Sequence, residues 1–123
     1  MQLTDNFHLQ EFACNDGTPV PAELMQNVIR LATNLQVLRN HLGERVSINS
    51  AYRHANYNKK IGGAPDSMHL RAMAADITVK SKTPKQLKAV IERLIKQKKV
   101  AFGGIGLYPG FVHVDIRQGH ARW

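Results

Sequence analysis

The chain has 123 residues, of which 43% are hydrophobic, and its 17 Lys and Arg against 9 Asp and Glu give a formal net charge of +8. A chain of this size is expected to form one domain, residues 1–123, that buries roughly two-thirds of its unfolded surface around one core. The single cysteine, Cys14, excludes an intramolecular disulfide, and no stretch is long and apolar enough to read as a transmembrane helix, so membrane insertion is not expected.

The opening MQLTDNFHLQEFACNDG has neither a basic start nor an apolar stretch, so it does not read as a signal peptide. The product is expected to be cytoplasmic as synthesised. Phe7, Leu9 and Phe12 are expected to pack on the core, followed by a loop over ACNDGTPVP in which Cys14 is a small buried or loop cysteine with no histidine motif placed for it. From Pro21, the residues Leu24, Val28, Leu31, Leu35, Leu38 and Leu42 recur at steps of three and four until Gly43, which predicts a long core helix. Val46 to Ser50 alternates as a strand and delivers Tyr52 and Arg53 to its end. Gly62, Gly63 and Pro65 are turn formers, and Ala75 to Val79 reads as a second strand. Thr83-Pro84-Lys85-Gln86 combines a capping box with proline at the first helical position, and it opens a helix buried through Leu87, Val90, Ile91, Leu94 and Ile95. Its basic residues, part of a run from Lys80 to Lys99, read as a solvated face. Gly103 to Tyr108, a Pro109-Gly110 turn and the alternating stretch Phe111 to Arg117 complete an antiparallel hairpin. His120, Arg122 and Trp123 form a basic and aromatic tail, and Tyr108 lies just before the last strand; the tail is expected to pack Trp123 on the domain, the alternative being contact with glycan or peptide at a cleft rim.

Three residues of this layout are candidate metal ligands: His69, Asp76 and His113. On a continuous helix His69 and Asp76 would stand about two turns, roughly 10 Å, apart. A loop leading into a strand lets His69 fold back toward Asp76. His113 shares one face of its strand with Phe111 and Asp115, while Val112, Val114 and Ile116 take the other. Taken singly, each histidine is an ordinary polar residue; taken together with Asp76 they make a two-histidine, one-carboxylate set. Three such ligands leave one position of a tetrahedral Zn²⁺ open, as catalytic zinc requires.

SMHLRAMAAD (67–76) resembles the SxHxxGxAxD signature of the zinc D-alanyl-D-alanine carboxypeptidases and phage L-alanyl-D-glutamate endopeptidases, a superfamily that shares its fold with the Hedgehog N-terminal signalling domain. NSAYRHANYNKKIGGAPDS (49–67) resembles the segment preceding that signature, and FVHVDIRQGHARW resembles the closing motif of one peptidase branch. The similarity runs from Asn6 to Trp123. It implies an α+β fold of Hedgehog/DD-peptidase type, in which a small antiparallel sheet carries the zinc site with helices packed against it. It also implies Zn²⁺ held by His69, Asp76 and His113, Arg53 as the active-site arginine, and peptidoglycan stem peptides as substrate. Ser67 and Tyr108 are expected to meet substrate. The chain is expected to act as a monomer on the cell wall after release or delivery.

Two positions depart from the family pattern. The signature glycine is Ala72, which matters if the backbone there needs positive φ. The general base that several branches carry three residues before the last histidine is Gly110, so Asp115 is the nearest substitute, either as base or as a partner orienting His113. Gly110 also motivates a competing expectation, a non-catalytic zinc domain that binds envelope or a protein partner. The positive charge suits polyanions in general, but the chain has no zinc-finger spacing, RNA-recognition motif or phosphate loop, so nucleic acid is not an expected partner.

Overall fold

The computed structural model describes residues 1–123. The elements that dominate the core are those whose period and caps agree. Helix α1, Met25–Leu42, buries Val28, Leu31, Leu35 and Leu38, and it stops where Gly43 takes a left-handed conformation with φ 68°. That is the backbone a C-terminal glycine supplies without a Cβ penalty. Helix α3, Pro84–Lys96, begins at a reciprocal cap: Thr83 Oγ1 accepts from the Gln86 N–H, and Gln86 Oε1 accepts from the Thr83 N–H. Its buried residues are Leu87, Ile91 and Leu94. Val90 and Ile95 pack at the core's margin, half-buried.

Five strands form one sheet: β1 Val46–Ser50, β2 Ala74–Val79, β3 Gly104–Leu107, β4 Val112–Asp115 and β5 Ala121–Arg122, in the spatial order β1-β2-β4-β3-β5. The first four pair antiparallel, and β5 adds a short parallel edge to β3. Both long helices contribute to the hydrophobic cluster that includes Ile77, Ile105, Val112 and Val114 of the sheet. Phe7 and Phe12 close this core as fully buried side chains, with Leu9 beside them. The α+β architecture is therefore the expected one, an antiparallel sheet with helices packed against it.

Three pieces lie outside the expected layout. A six-residue helix, α2 Ala55–Lys60, follows β1; a 3₁₀ turn, Met68–Arg71, precedes β2; and β5 pins the tail. Each is short, and each bears on the site. No helix is long and apolar enough to cross a membrane.

Candidate active site

Sheet register sets two of the three ligands side by side. Asp76 on β2 is directly opposite His113 on β4, and opposed residues on adjacent strands project from the same face. His69 comes from the 3₁₀ turn. Ser67 Oγ caps that turn by accepting from the His69 N–H at 3.2 Å, and the His69 carbonyl accepts from the Arg53 N–H at 3.0 Å. The turn ends at Ala72, whose φ of 55° and ψ of 32° are left-handed. Positive φ is thus required where the family signature has glycine, and Ala72 bears a backbone cost of about 1 kcal/mol.

The donor atoms converge on one carboxylate oxygen. His69 Nε2 lies 3.2 Å and His113 Nδ1 lies 3.1 Å from Asp76 Oδ1, with the two imidazoles edge to face at 5.1 Å. All three residues are buried. The far nitrogen of each ring has its own acceptor: His69 Nδ1 donates to the Ala51 carbonyl at 2.6 Å, and His113 Nε2 donates to Asp115 Oδ2 at 2.8 Å. Those contacts place the ring protons on the outside. Two imidazole lone pairs and a carboxylate oxygen therefore point at one another, an arrangement that a cation between them relieves. Two nitrogens and one oxygen, each within 4.8 Å of the others, suit zinc, whose bonds to these atoms are about 2.0–2.2 Å long.

The electrostatics agree with a site built for positive charge. Burial pushes the Asp76 carboxyl up, but when the inner nitrogens of His113 and His69 carry protons in place of a cation, their hydrogen bonds outweigh it and hold the group at about 2. Burial pushes His113 down, and its bonds to Asp115 and Asp76 more than reverse this, so the net shift is upward. A ring that prefers a proton between two carboxylates is equally suited to a metal.

The triad opens into a cleft of about 460 Å³, whose walls include Arg53, Asp66, Ser67, Tyr108, Arg117 and Trp123. Arg53 is held from three sides. Its Nε donates to Ser50 Oγ at 3.2 Å, Nη1 to Asn58 Oδ1 at 3.3 Å and Nη2 to Asp76 Oδ2 at 3.3 Å. The unexpected helix α2 exists partly for this purpose, since its buried Asn58 also ties to the Ala64 carbonyl at 2.8 Å. Tyr108 stacks on Phe111 at 4.5 Å, and its hydroxyl accepts from Trp123 Nε1 at 2.8 Å. Trp123 does pack on the domain as its place in the tail implied. It packs on the site itself, 5.0 Å from the His113 ring, and remains about half exposed.

Asp115 shares the face of His113 but does not open to the cleft. It is fully buried, and Arg117 closes over it with Nε to Oδ1 at 2.8 Å and Nη2 to Oδ2 at 2.8 Å. Arg117 in turn lies over the Trp123 ring at 5.2 Å. Gly110, in the bend before β4, carries no side chain that could accept a proton, so the proton acceptor is another residue.

Sequence reasoning missed Asp66, Asn58 and the positioning of Arg117. The last was readable by extending the strand alternation through 113, 115 and 117. Nothing local marks the other two, because folding of the 54–67 segment brings Asp66 to the cleft and Asn58 to Arg53.

Buried histidines and a carboxylate around one metal position, opening to a cleft with a fixed arginine, define a metallohydrolase. The chain belongs to peptidase family M15, whose model matches residues 5–115. It is a zinc-dependent peptidase that acts on peptidoglycan, with His69, Asp76 and His113 as the zinc-binding triad. No curated protein matches the chain.

Proposed function

We propose that the cleft binds peptidoglycan stem peptides and hydrolyses one of their amide bonds, with Arg53 as the group that holds the substrate's oxygens. The fixed guanidinium carries this reading. Three of its five N–H donors are used by Ser50, Asn58 and Asp76, which leaves two for a substrate carboxylate or a developing oxyanion. Zinc, when bound at the triad, supplies Lewis acidity that polarises a scissile carbonyl and lowers the pKa of water. The chain's own residues do the rest. Asp76 orients Arg53 through Oδ2 while Oδ1 faces the histidines. Apart from Asp76, the carboxylate lining the cleft is Asp66; the Arg117 guanidinium, whose pKa is raised chiefly by its bonds to Asp115, also feels the Asp66 charge. We assign Asp66 as acceptor of the proton from the attacking water, and Asp115 as the residue that positions His113. Ser67 orders the His69 turn, and Tyr108 with Trp123 forms an aromatic wall for the peptide or its glycan.

The cleft is complete within one chain, which supports action as a monomer. A wall substrate lies outside the membrane, so the protein acts after release or delivery from the cytoplasm. Digestion of purified peptidoglycan by the zinc-loaded protein, followed by mass analysis, is expected to release muropeptides shortened at one defined bond and so to identify that bond. Binding to cell wall with no released fragment at saturating zinc would reject hydrolysis.

Arg53→Lys separates recognition from charge. Lysine keeps the cation but loses the planar fork, and hydrolysis is expected to fall by about 10-fold or more with the fold intact. Unchanged kinetics would reduce Arg53 to an ion-pair partner of Asp76.

A further inference from the structure

A second cluster of metal-ligating side chains includes His54, the residue after Arg53, and uses none of the residues assigned to the peptidase site. Cys14 and Asp16 belong to the loop after the first 3₁₀ turn, Leu9–Phe12, and His54 is the N-cap of α2. His54 is 40 residues from Cys14 and 38 from Asp16 in sequence. One ligand atom from each nevertheless lies within 4.8 Å of the other two. We propose that Cys14, Asp16 and His54 form a second metal site, for a divalent transition ion of zinc type, that fastens the N-terminal loop to the start of α2.

The loop is already shaped for it. The Cys14 N–H donates to the Thr18 carbonyl at 2.8 Å, the Gly17 N–H returns to the Cys14 carbonyl at 2.8 Å, and the Thr18 N–H donates to Asp16 Oδ1 at 3.0 Å. These bonds turn Cys14 and Asp16 to the same side. The loop is also anchored to the chain around β1: Tyr52 N–H donates to the Phe12 carbonyl at 3.0 Å, and Asn15 Nδ2 donates to the Asn49 carbonyl at 3.0 Å. The loop is therefore ordered by bonds that form without the metal, and a preordered site costs less to fill.

Burial grades across the trio. Cys14 is buried, His54 half-buried and Asp16 exposed, so an ion entering from solvent passes the carboxylate first and meets the sulfur at the base. One thiolate, one carboxylate and one imidazole neutralise a dication and mix soft with hard donors, which selects zinc-type ions over calcium or magnesium. His54 Nε2 now lies 2.6 Å from Asp16 Oδ2, and its Nδ1 accepts from the Tyr57 N–H at 3.3 Å. Metal at Nε2 moves the ring proton to Nδ1, which gives up the bond it accepts from the Tyr57 N–H, and the cysteine thiol loses its proton to solvent. The Nε2 to Oδ2 separation must widen to about 3 Å or more to admit an ion with bonds near 2 Å. Asp16, on an exposed loop, can give that distance. Since His54 directly follows Arg53, a bound ion would also fix the backbone that carries the active-site guanidinium.

Cobalt reads this site separately. Cys14 is the only cysteine, and the peptidase triad holds no sulfur, so a thiolate-to-cobalt charge-transfer band can come only from Cys14. Titration of the full-length chain with Co²⁺ is expected to give about two equivalents bound and a near-ultraviolet charge-transfer band. His69→Ala should lose the triad's equivalent and keep the band, and its melting temperature should rise by several degrees on adding Zn²⁺. Cys14→Ser and His54→Ala should each lose the second equivalent or weaken it at least 10-fold, while retaining the first. The proposal fails if wild-type protein binds one equivalent with no band, which would leave Asp16 and His54 as a hydrogen-bonded cap. It also fails if the band survives His54→Ala at unchanged affinity, or if it forms at one metal per two chains.

Discussion

Asp76→Ala is expected to lower peptidoglycan hydrolysis by on the order of 1000-fold or more, the largest effect of any single substitution in this protein. Zinc contributes several kcal/mol of transition-state stabilisation, and about 4 kcal/mol corresponds to 1000-fold. Asp76 is singled out among the triad because its two oxygens serve different partners. Oδ1 faces both histidines, and Oδ2 holds Arg53 at 3.3 Å. Its loss removes a ligand, the negative charge that concentrates zinc, and the support of the guanidinium. His69→Ala and His113→Ala remove one ligand each and leave Arg53 in place, so their losses should be smaller than or equal to that of Asp76→Ala. Metal content and kcat/KM measured on the same preparations check this. Activity of Asp76→Ala within 10-fold of wild type, in a protein depleted of metal by a chelator, would show that the reaction does not run through this triad.

How much of this was legible in the sequence depended on whether a residue's role is local. Helix α1 was readable because its apolar period ends at Gly43, and α3 because Thr83, Pro84 and Gln86 spell out a cap. The triad was readable as well, since a turn before β2 and an alternating β4 constrain where three side chains can point. Helix α2 carries no such signal: six residues, ANYNKK, with one buried position that is itself polar. Its helix is held by tertiary contacts of Asn58 rather than by propensity. The same reason hid the proximity of His54 to Cys14, for which no local motif offers a histidine. At Ala72 the sequence raised the question of a positive φ, and only the fold answered it.

Asp115→Asn should weaken zinc binding by about 10- to 100-fold and leave turnover largely recoverable at high zinc, as befits a residue that positions a ligand. Its oxygens accept from His113 Nε2 and from the Arg117 guanidinium, at 2.8 Å each. The hydrogen bonds with these two groups outweigh burial and hold the carboxyl far below the ordinary aspartate range. An asparagine can still accept from one of these donors, but its amide N–H groups then oppose the other, so His113 loses either its fixed tautomer or its fixed orientation. Gly104→Ala tests the same assignment without touching a charge. Gly104 pairs with Asp115 across β3 and β4, and a Cβ there would run into the Asp115 carboxylate. Overpacking of this kind costs about 1–3 kcal/mol of stability, and the displaced carboxylate should reproduce the zinc-affinity defect in whatever protein remains folded. Asp66→Asn is the contrasting variant. On the cleft wall it should retain zinc at wild-type affinity and lose kcat by about 100-fold or more, because an amide cannot take the proton from water. Zinc affinities from competition with a chelating dye, set beside kcat at saturating zinc, distinguish the two carboxylates. If Asp115→Asn instead abolishes turnover with zinc fully bound while Asp66→Asn stays active, the proton acceptor is Asp115, and Arg117 must swing aside to let it reach the cleft.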